Sequence, residues 1–193
     1  MSPRRVLAID GPVIFIVVFA AVVFYAKRGL PPWARRAPQA VAATAPAPAA
    51  PPGRKIKARL FYVADEGTRL TSIERDVAYG ESADDQAREI VAAQIAPVAA
   101  PLVSAVPPGT TLRAVFITKS GDAYVDLSRE VRSAHPGGSI NELLTVYTIV
   151  NALTVNLPAV TAVQVLVDGK EVDTLSGHVD LRRPLAKNLA WVE

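Results

Sequence analysis

SINELLTVYTIVNALTVNLP, residues 139–158, is the stretch on which the fold turns. Ser139 and Glu142 have the spacing of a capping box, in which the serine bonds the third helical N–H and the glutamate returns to the cap's own N–H. Ile140, Leu143, Leu144, Tyr147, Val150, Leu153 and Leu157 then recur every three or four residues. That period predicts a helix with one buried face, stopped at Asn156-Leu157-Pro158. Just downstream, AVQVLV (162–167) has the character of a buried strand, Asp168-Gly169 is a type I′ turn signal, and Glu171–Leu175 could pair back. Just upstream, TLRAVFIT (111–118) and AYVDL (123–127) flank Lys119-Ser120-Gly121-Asp122, which predicts a β-hairpin around a glycine turn.

Further out, Ser82 offers a side-chain cap to a helix over Asp84–Val98, with Ala87, Ile90, Val91, Ile95 and Val98 on its buried face. Asp84 and Asp85 fall in its first turn, where the helix dipole favours negative charge. Pro97–Gly109 is a loop, and Pro107-Pro108-Gly109 turns into the next strand. The domain opens with IKARLFYV (56–63), an alternating β-rich strand, followed by a turn at Asp65-Glu66-Gly67. LTSIERDV (70–77) is more charged and less alternating, as an edge strand would be. The order is strand, strand, helix, hairpin, helix, hairpin. It predicts an α+β domain with two helices packed on one face of a mainly antiparallel sheet. There is no internal repeat of useful length.

Arg54–Glu193 is a normal size for one domain with one core. Ahead of it lie two segments of different composition. Most of Leu30–Gly53 is Pro or Ala, too poor in large apolar side chains to offset its ordering entropy. At about 3.1 Å per residue in polyproline II geometry it could reach on the order of 70 Å as a semi-rigid spacer. Before it, VIFIVVFAAVVFYA (13–26) is free of charge and alone would make a helix of roughly 21 Å. A bilayer core is about 30 Å thick, and extension back to Val6 supplies about 31 Å if Asp10, Gly11 and Pro12 sit near the headgroups. Residues 1–29 are therefore expected to be a membrane anchor, spanning at Val6–Ala26, residues 30–53 a linker, and residues 54–193 the folded domain. Basic residues placed directly after the apolar run, and the lack of a clean A-x-A before them, favour an uncleaved anchor over a signal peptide. Arg4 and Arg5 on one side against Lys27, Arg28, Arg35 and Arg36 on the other do not decide its orientation and, by the positive-inside rule read literally, lean towards a cytoplasmic C-terminal side.

Residues 1–53 hold six of the 21 Lys/Arg and one of the 18 Asp/Glu, which leaves the domain with 15 against 17. The basic excess belongs to the anchor region, so nucleic acid is not an expected partner of the domain. With no cysteine there is no disulfide, thiolate site or lipid attached through sulfur.

The residues show no catalytic pattern, and no catalytic, cofactor or metal residues are assigned from sequence. His135 and His178 stand on loops without HxxxH or HExxH spacing. Pro136-Gly137-Gly138 lacks the following Lys-Ser/Thr of a phosphate loop, and no serine sits in a G-x-S-x-G elbow. Asp126 alternates with Val125 and Leu127, so it faces away from them as a partner for a backbone group or helix end. Asn151, on or beside the apolar stripe, needs hydrogen-bond partners and is expected to fix the helix to the sheet. Phe61, Tyr62, Phe116, Tyr124 and Tyr147 fall mostly at core positions, which leaves little for a glycan groove.

VDLSRE (125–130), VYTIVNALT (146–154) ending at Leu157-Pro158, VQVLVDGK (163–170) and LSGHVDLRRPL (175–185) resemble the GerMN domain, named for spore germination and sporulation proteins. The resemblance covers about Lys57 to Leu185. It implies a fold like the ring-building βαββα modules and a bacterial extracytoplasmic domain, hence a single-pass protein of the cytoplasmic membrane with its C-terminal domain outside. The expected function is a non-catalytic, membrane-anchored cell-envelope module for protein-protein or self-association. An accessory peptidoglycan-binding role beside a wall hydrolase is the alternative.

Overall fold

The computed structural model describes residues 53–193. The expected anchor at 1–29 and nearly all of the linker at 30–53 lie outside the described residues. Among the described residues no helix is long and apolar enough to cross a membrane.

Lys55–Val63 (β1) and Leu70–Ala78 (β2) pair antiparallel, from Lys55↔Ala78 to Val63↔Leu70, around a turn in which Gly67 has positive φ. Helix α1, Ala83–Ile95, begins where expected: the Ser82 hydroxyl accepts the Asp85 N–H at 3.1 Å. It ends at Ile95, short of the expected Val98, because the residue before Pro97 is held out of helical geometry. Leu112–Ile117 (β3) and Asp122–Leu127 (β4) form the expected hairpin. Gly121 is required in its turn: φ is +92°, and an added Cβ would stand 2.8 Å from the Ala159 carbonyl oxygen. After a short helix α2, Glu130–Ser133, comes α3, Ser139–Asn156, and then β5, Ala162–Val167. Asp168 and Gly169, both at positive φ, make the expected type I′ turn into β6, Lys170–Glu171. A last pair, Leu185–Ala186 (β7), returns to β5.

The α+β class holds and the strand pairing is mainly antiparallel, in four of the five pairs among the described residues, but the strands do not form a single sheet. Among the described residues there are two sheets: the β1–β2 ribbon, and a second sheet in the order β3-β4-β5-β6 with β7 also on β5. The central pair β4–β5 is parallel, from Asp122↔Ala162 to Leu127↔Val167. Its strands are joined through α3, and a strand-helix-strand connection returns the chain in its original direction. The helices are likewise not confined to one face of one sheet. α1 packs against β1, β2 and β3, and α3 against β1, β5 and β7. Eleven of the eighteen residues of α3 are buried, so more than one of its faces is covered. Leu60, Phe61, Tyr62, Ile90, Leu127, Leu144, Ile149, Leu153 and Val165 form the centre of the core.

The expected return strand Glu171–Leu175 is also shorter. Only Lys170 and Glu171 pair with β5, after which the chain turns away as a strap. The strap crosses the start of α3, rejoins β5 as β7, and ends beside β2, where Leu70 N–H donates to the Trp191 carbonyl at 2.7 Å.

Candidate functional site

The capping box at Ser139 does not form. Gly137 and Gly138, both at positive φ, deliver the chain so that Gly138 occupies the cap position and Ser139 is already helical. Glu142 is thereby released from the helix end, and it is fully buried. Its Oε1 accepts the Leu175 and Ser176 N–H groups at 2.7 and 2.9 Å, and its Oε2 accepts the His178 N–H at 2.8 Å. His178 Nδ1 lies 3.2 Å from the same Oε2. Burial pushes the carboxyl towards neutrality, but the peptide groups of Ser176, His178, Leu175 and Val179 outweigh it and hold its pKa below the ordinary carboxylate value. Glu142 is therefore an ionised anchor for the strap, with both oxygens occupied and no access to solvent.

His135 Nδ1 accepts the Gly137 N–H at 3.0 Å, which places the neutral ring's proton on Nε2, 3.2 Å from Thr145 Oγ1. Burial lowers its pKa, so the ring is neutral near pH 7, although the Glu142 charge pulls the other way. The two histidines, read from sequence as separate loop and turn residues, thus meet the first turns of α3 from two directions. Among the described residues no cluster of His, Asp and Glu could hold a metal ion.

A second constellation joins the motifs at 125–130 and 163–170. Asp126 Oδ1 accepts the Gly169 N–H at 2.7 Å, and its Oδ2 accepts from Arg113 Nε at 3.0 Å. Asp168 Oδ1 accepts the Arg129 N–H at 3.2 Å, while Asp168 N–H donates to the Leu127 carbonyl. The expectation that Asp126 serves a backbone group is met. Asp84 does more than face the helix dipole: its Oδ1 accepts the Ile117 N–H at 2.9 Å and ties α1 to β3. Asn151 fixes the strap rather than the sheet, donating to the Asn188 carbonyl at 2.8 Å and accepting the Asn188 N–H at 3.0 Å.

Side-chain amides also close strand edges, a role that sequence reading missed. The Asn156 amide accepts the Arg59 N–H and donates to its carbonyl, both at 2.8 Å. Gln94 does the same for Phe61, at 2.8 and 2.7 Å, and the Thr148 hydroxyl also donates to the Phe61 carbonyl. Gln86 bridges the Ala78 carbonyl and the Gly80 N–H. The available signal was a polar residue buried beside an apolar helical stripe, Gln94 being only 1% exposed. Of the aromatic residues expected in the core, Phe61 and Tyr62 are buried, but Phe116 is 58% exposed and pairs across strands with half-exposed Tyr124 on the open face of the sheet.

A family model described as Germane, sporulation and spore germination, matches residues 59–173. The match ends where the strap begins. Tandem GerMN domains of the sporulation protein GerM from Bacillus subtilis share the fold at TM-score 0.51 and 19% identity, covering 70% of this chain and 46% of that one. A putative lipoprotein from Clostridium perfringens aligns at TM-score 0.49 and 21% identity, covering 69% of this chain and 88% of that one. The first GerMN domain of GerM aligns at TM-score 0.49 and 18% identity, over 68% and 97%. No curated protein matches.

Proposed function

This chain belongs to the Germane family of sporulation and spore germination, and from that membership we propose that it is a non-catalytic cell-envelope module that binds protein partners or its own copies. In this reading it is held at the cytoplasmic membrane by one N-terminal span, with its folded domain outside and no cofactor or nucleic acid involved. One observation carries the reading: Glu142, Asp126, Asn151, Gln94 and Asn156 direct their side chains to the domain's own backbone. Groups committed in this way hold a shape. They leave surfaces and strand edges, rather than a reactive centre, as what the domain presents. The membrane part rests on the composition of residues 6–26 and the reach of the Pro/Ala tether.

The test is crosslinking in cells that express the full chain at its native level, with a photoreactive residue placed in turn on the exposed strands. Discrete crosslinked species, to copies of the chain or to one envelope protein, are expected. Their absence at every position would reject association.

One observation favours a wall-binding role as a second reading, namely the exposed Phe116–Tyr124 pair, since aromatic faces stack on sugars. Co-sedimentation with purified peptidoglycan, lost in Phe116→Ala, would support it over the first.

A further inference from the structure

The strand edges of this domain are treated unequally. The outer edge of β5 is occupied at its two ends by β6 and β7. That of β1 is closed from Arg59 to Val63, by the Asn156 and Gln94 amides and, at Val63, by the Val103 carbonyl at 2.9 Å. In β3, the Ile117 N–H is held by Asp84. In β2, the two ends are closed, Leu70 by Trp191 and Glu193 and Ala78 by Gln86. The middle of β2 is not.

The direction of its free groups follows from register. Arg59 is opposite Glu74, and because both Arg59 backbone groups go to Asn156, this is a non-hydrogen-bonded pair. Glu74, and with it Ser72 and Asp76, therefore turn their N–H and C=O groups away from β1. Those groups have no partner among the described residues. Glu74 and Asp76 are exposed, and Ser72 is half-buried.

We propose that Ser72–Asp76 of β2 is a strand-addition site for an extended basic segment of a partner protein. The proposal gives partner chemistry to the association reading above and rests on it. Added strands gain affinity from main-chain hydrogen bonds and specificity from alternate side chains. Here the side chains of Ser72, Glu74 and Asp76 share one face. Asp76 is already met by Lys57 at 2.7 Å, whereas the Glu74 carboxylate has no ion-pair partner among the described residues. An incoming strand with Lys or Arg at every second position supplies that partner. Glu74, Arg75 and Asp76 also border a shallow groove, lined further by Lys57 and Leu60, that reaches Ala93 and Ala96 at the end of α1. The last turn of α1 has no basic residue, so its terminal carbonyls add partial negative charge to a wall of small side chains. A second copy pairing antiparallel over the same three residues would place Glu74 opposite Glu74, a destabilising like-charge pair.

The experiment uses the full ¹⁵N-labelled chain in detergent micelles and measures amide exchange with and without a nine-residue peptide alternating threonine and lysine. Saturating peptide should slow exchange at Ser72, Glu74 and Asp76 by about tenfold or more, while a threonine-glutamate peptide has no effect. Glu74→Pro removes an N–H that the domain does not use, so it should abolish protection while leaving the melting curve unchanged. Glu74→Lys leaves the backbone intact and should weaken binding, a second arm if the proline variant does not fold. No protection at these amides, or equal protection by the acidic peptide, overturns the proposal. So does slow exchange without peptide: where it rises with protein concentration the occupant is a second copy, and where it does not the chain covers its own edge. Crosslinking that persists unchanged in Glu74→Pro overturns the edge but leaves association standing, whereas absence of crosslinking in the unmodified chain removes both.

Discussion

Asn156, at the end of α3, uses both atoms of its side-chain amide to satisfy both backbone groups of Arg59, 97 residues earlier in the chain. In effect a helix supplies one peptide unit's worth of strand pairing. Gln94 of α1 repeats the device at Phe61, so two helices together imitate a neighbouring strand along β1. An open edge invites unwanted pairing, and from Arg59 to Val63 this one is closed without another strand.

The two amides differ in the cost of losing them. Phe61 is buried, so Gln94→Ala strands its N–H away from water and is expected to destabilise the domain by about 1–3 kcal/mol. Arg59 is exposed, and water can replace the Asn156 amide, so Asn156→Ala should cost roughly 1 kcal/mol or less. Urea denaturation followed by circular dichroism ranks them. Equal losses would mean that the edge of β1 is not what these amides protect.

Glu142→Gln replaces one acceptor oxygen with a donor and leaves at least one strap N–H unpaired, with an expected loss of about 1–3 kcal/mol at neutral pH. The carboxyl's folded pKa lies below its ordinary 4.5, so its contribution is complete above that value and is lost as pH falls through the folded pKa. His135, held below its ordinary 6.5 by burial, gives the same sign in a higher window: stability falls as pH drops below 6.5. Stability measured against pH should therefore decline in two stages, the upper one flattened in His135→Gln and the lower one in Glu142→Gln. A profile that is the same in both variants and the parent would remove these residues as the cause.

What was legible in the sequence was local. The Ser82 cap, the stop before Pro158, the Gly121 hairpin and the Asp168-Gly169 turn each depend on a few neighbouring residues, and each stands where expected. What was not legible depends on distant partners. Ser139-x-x-Glu142 satisfies the capping-box spacing, but the strap N–H groups more than thirty residues later capture the carboxylate instead. The split into two sheets was hidden for a similar reason, because β2 and β3 are both plausible strands and only the placement of α1 shows that they do not pair. The parallel β4–β5 pair was within reach, since α3 stands between its strands.

Topology is tested by fusing alkaline phosphatase or a fluorescent protein to Glu193 of the full chain. Phosphatase activity without cytoplasmic fluorescence is expected if Val6–Ala26 spans the membrane and the domain lies outside. The reverse pattern would place the domain in the cytoplasm and withdraw the envelope reading.

The strap is expected to guard the one sheet edge whose strand is almost wholly apolar. β5 is AVQVLV, and only β6 and β7, two residues each, pair along its outer side. The strap is held by Glu142 at Leu175, Ser176 and His178, by Gln164 at Leu181, by Asn151 at Asn188 and by Leu70 near its end. Ending the chain at Asp173 removes all four attachments and exposes Gln164, Val163 and Val165 along a free edge, a template for non-native pairing. Such a chain should unfold at lower urea and form large species by light scattering, whereas ending it at Lys187 keeps β7 and should remain dispersed with a smaller loss. If the Asp173 truncation stays as stable and as monodisperse as the full chain, the strap is an appendage to the domain and not part of its closure.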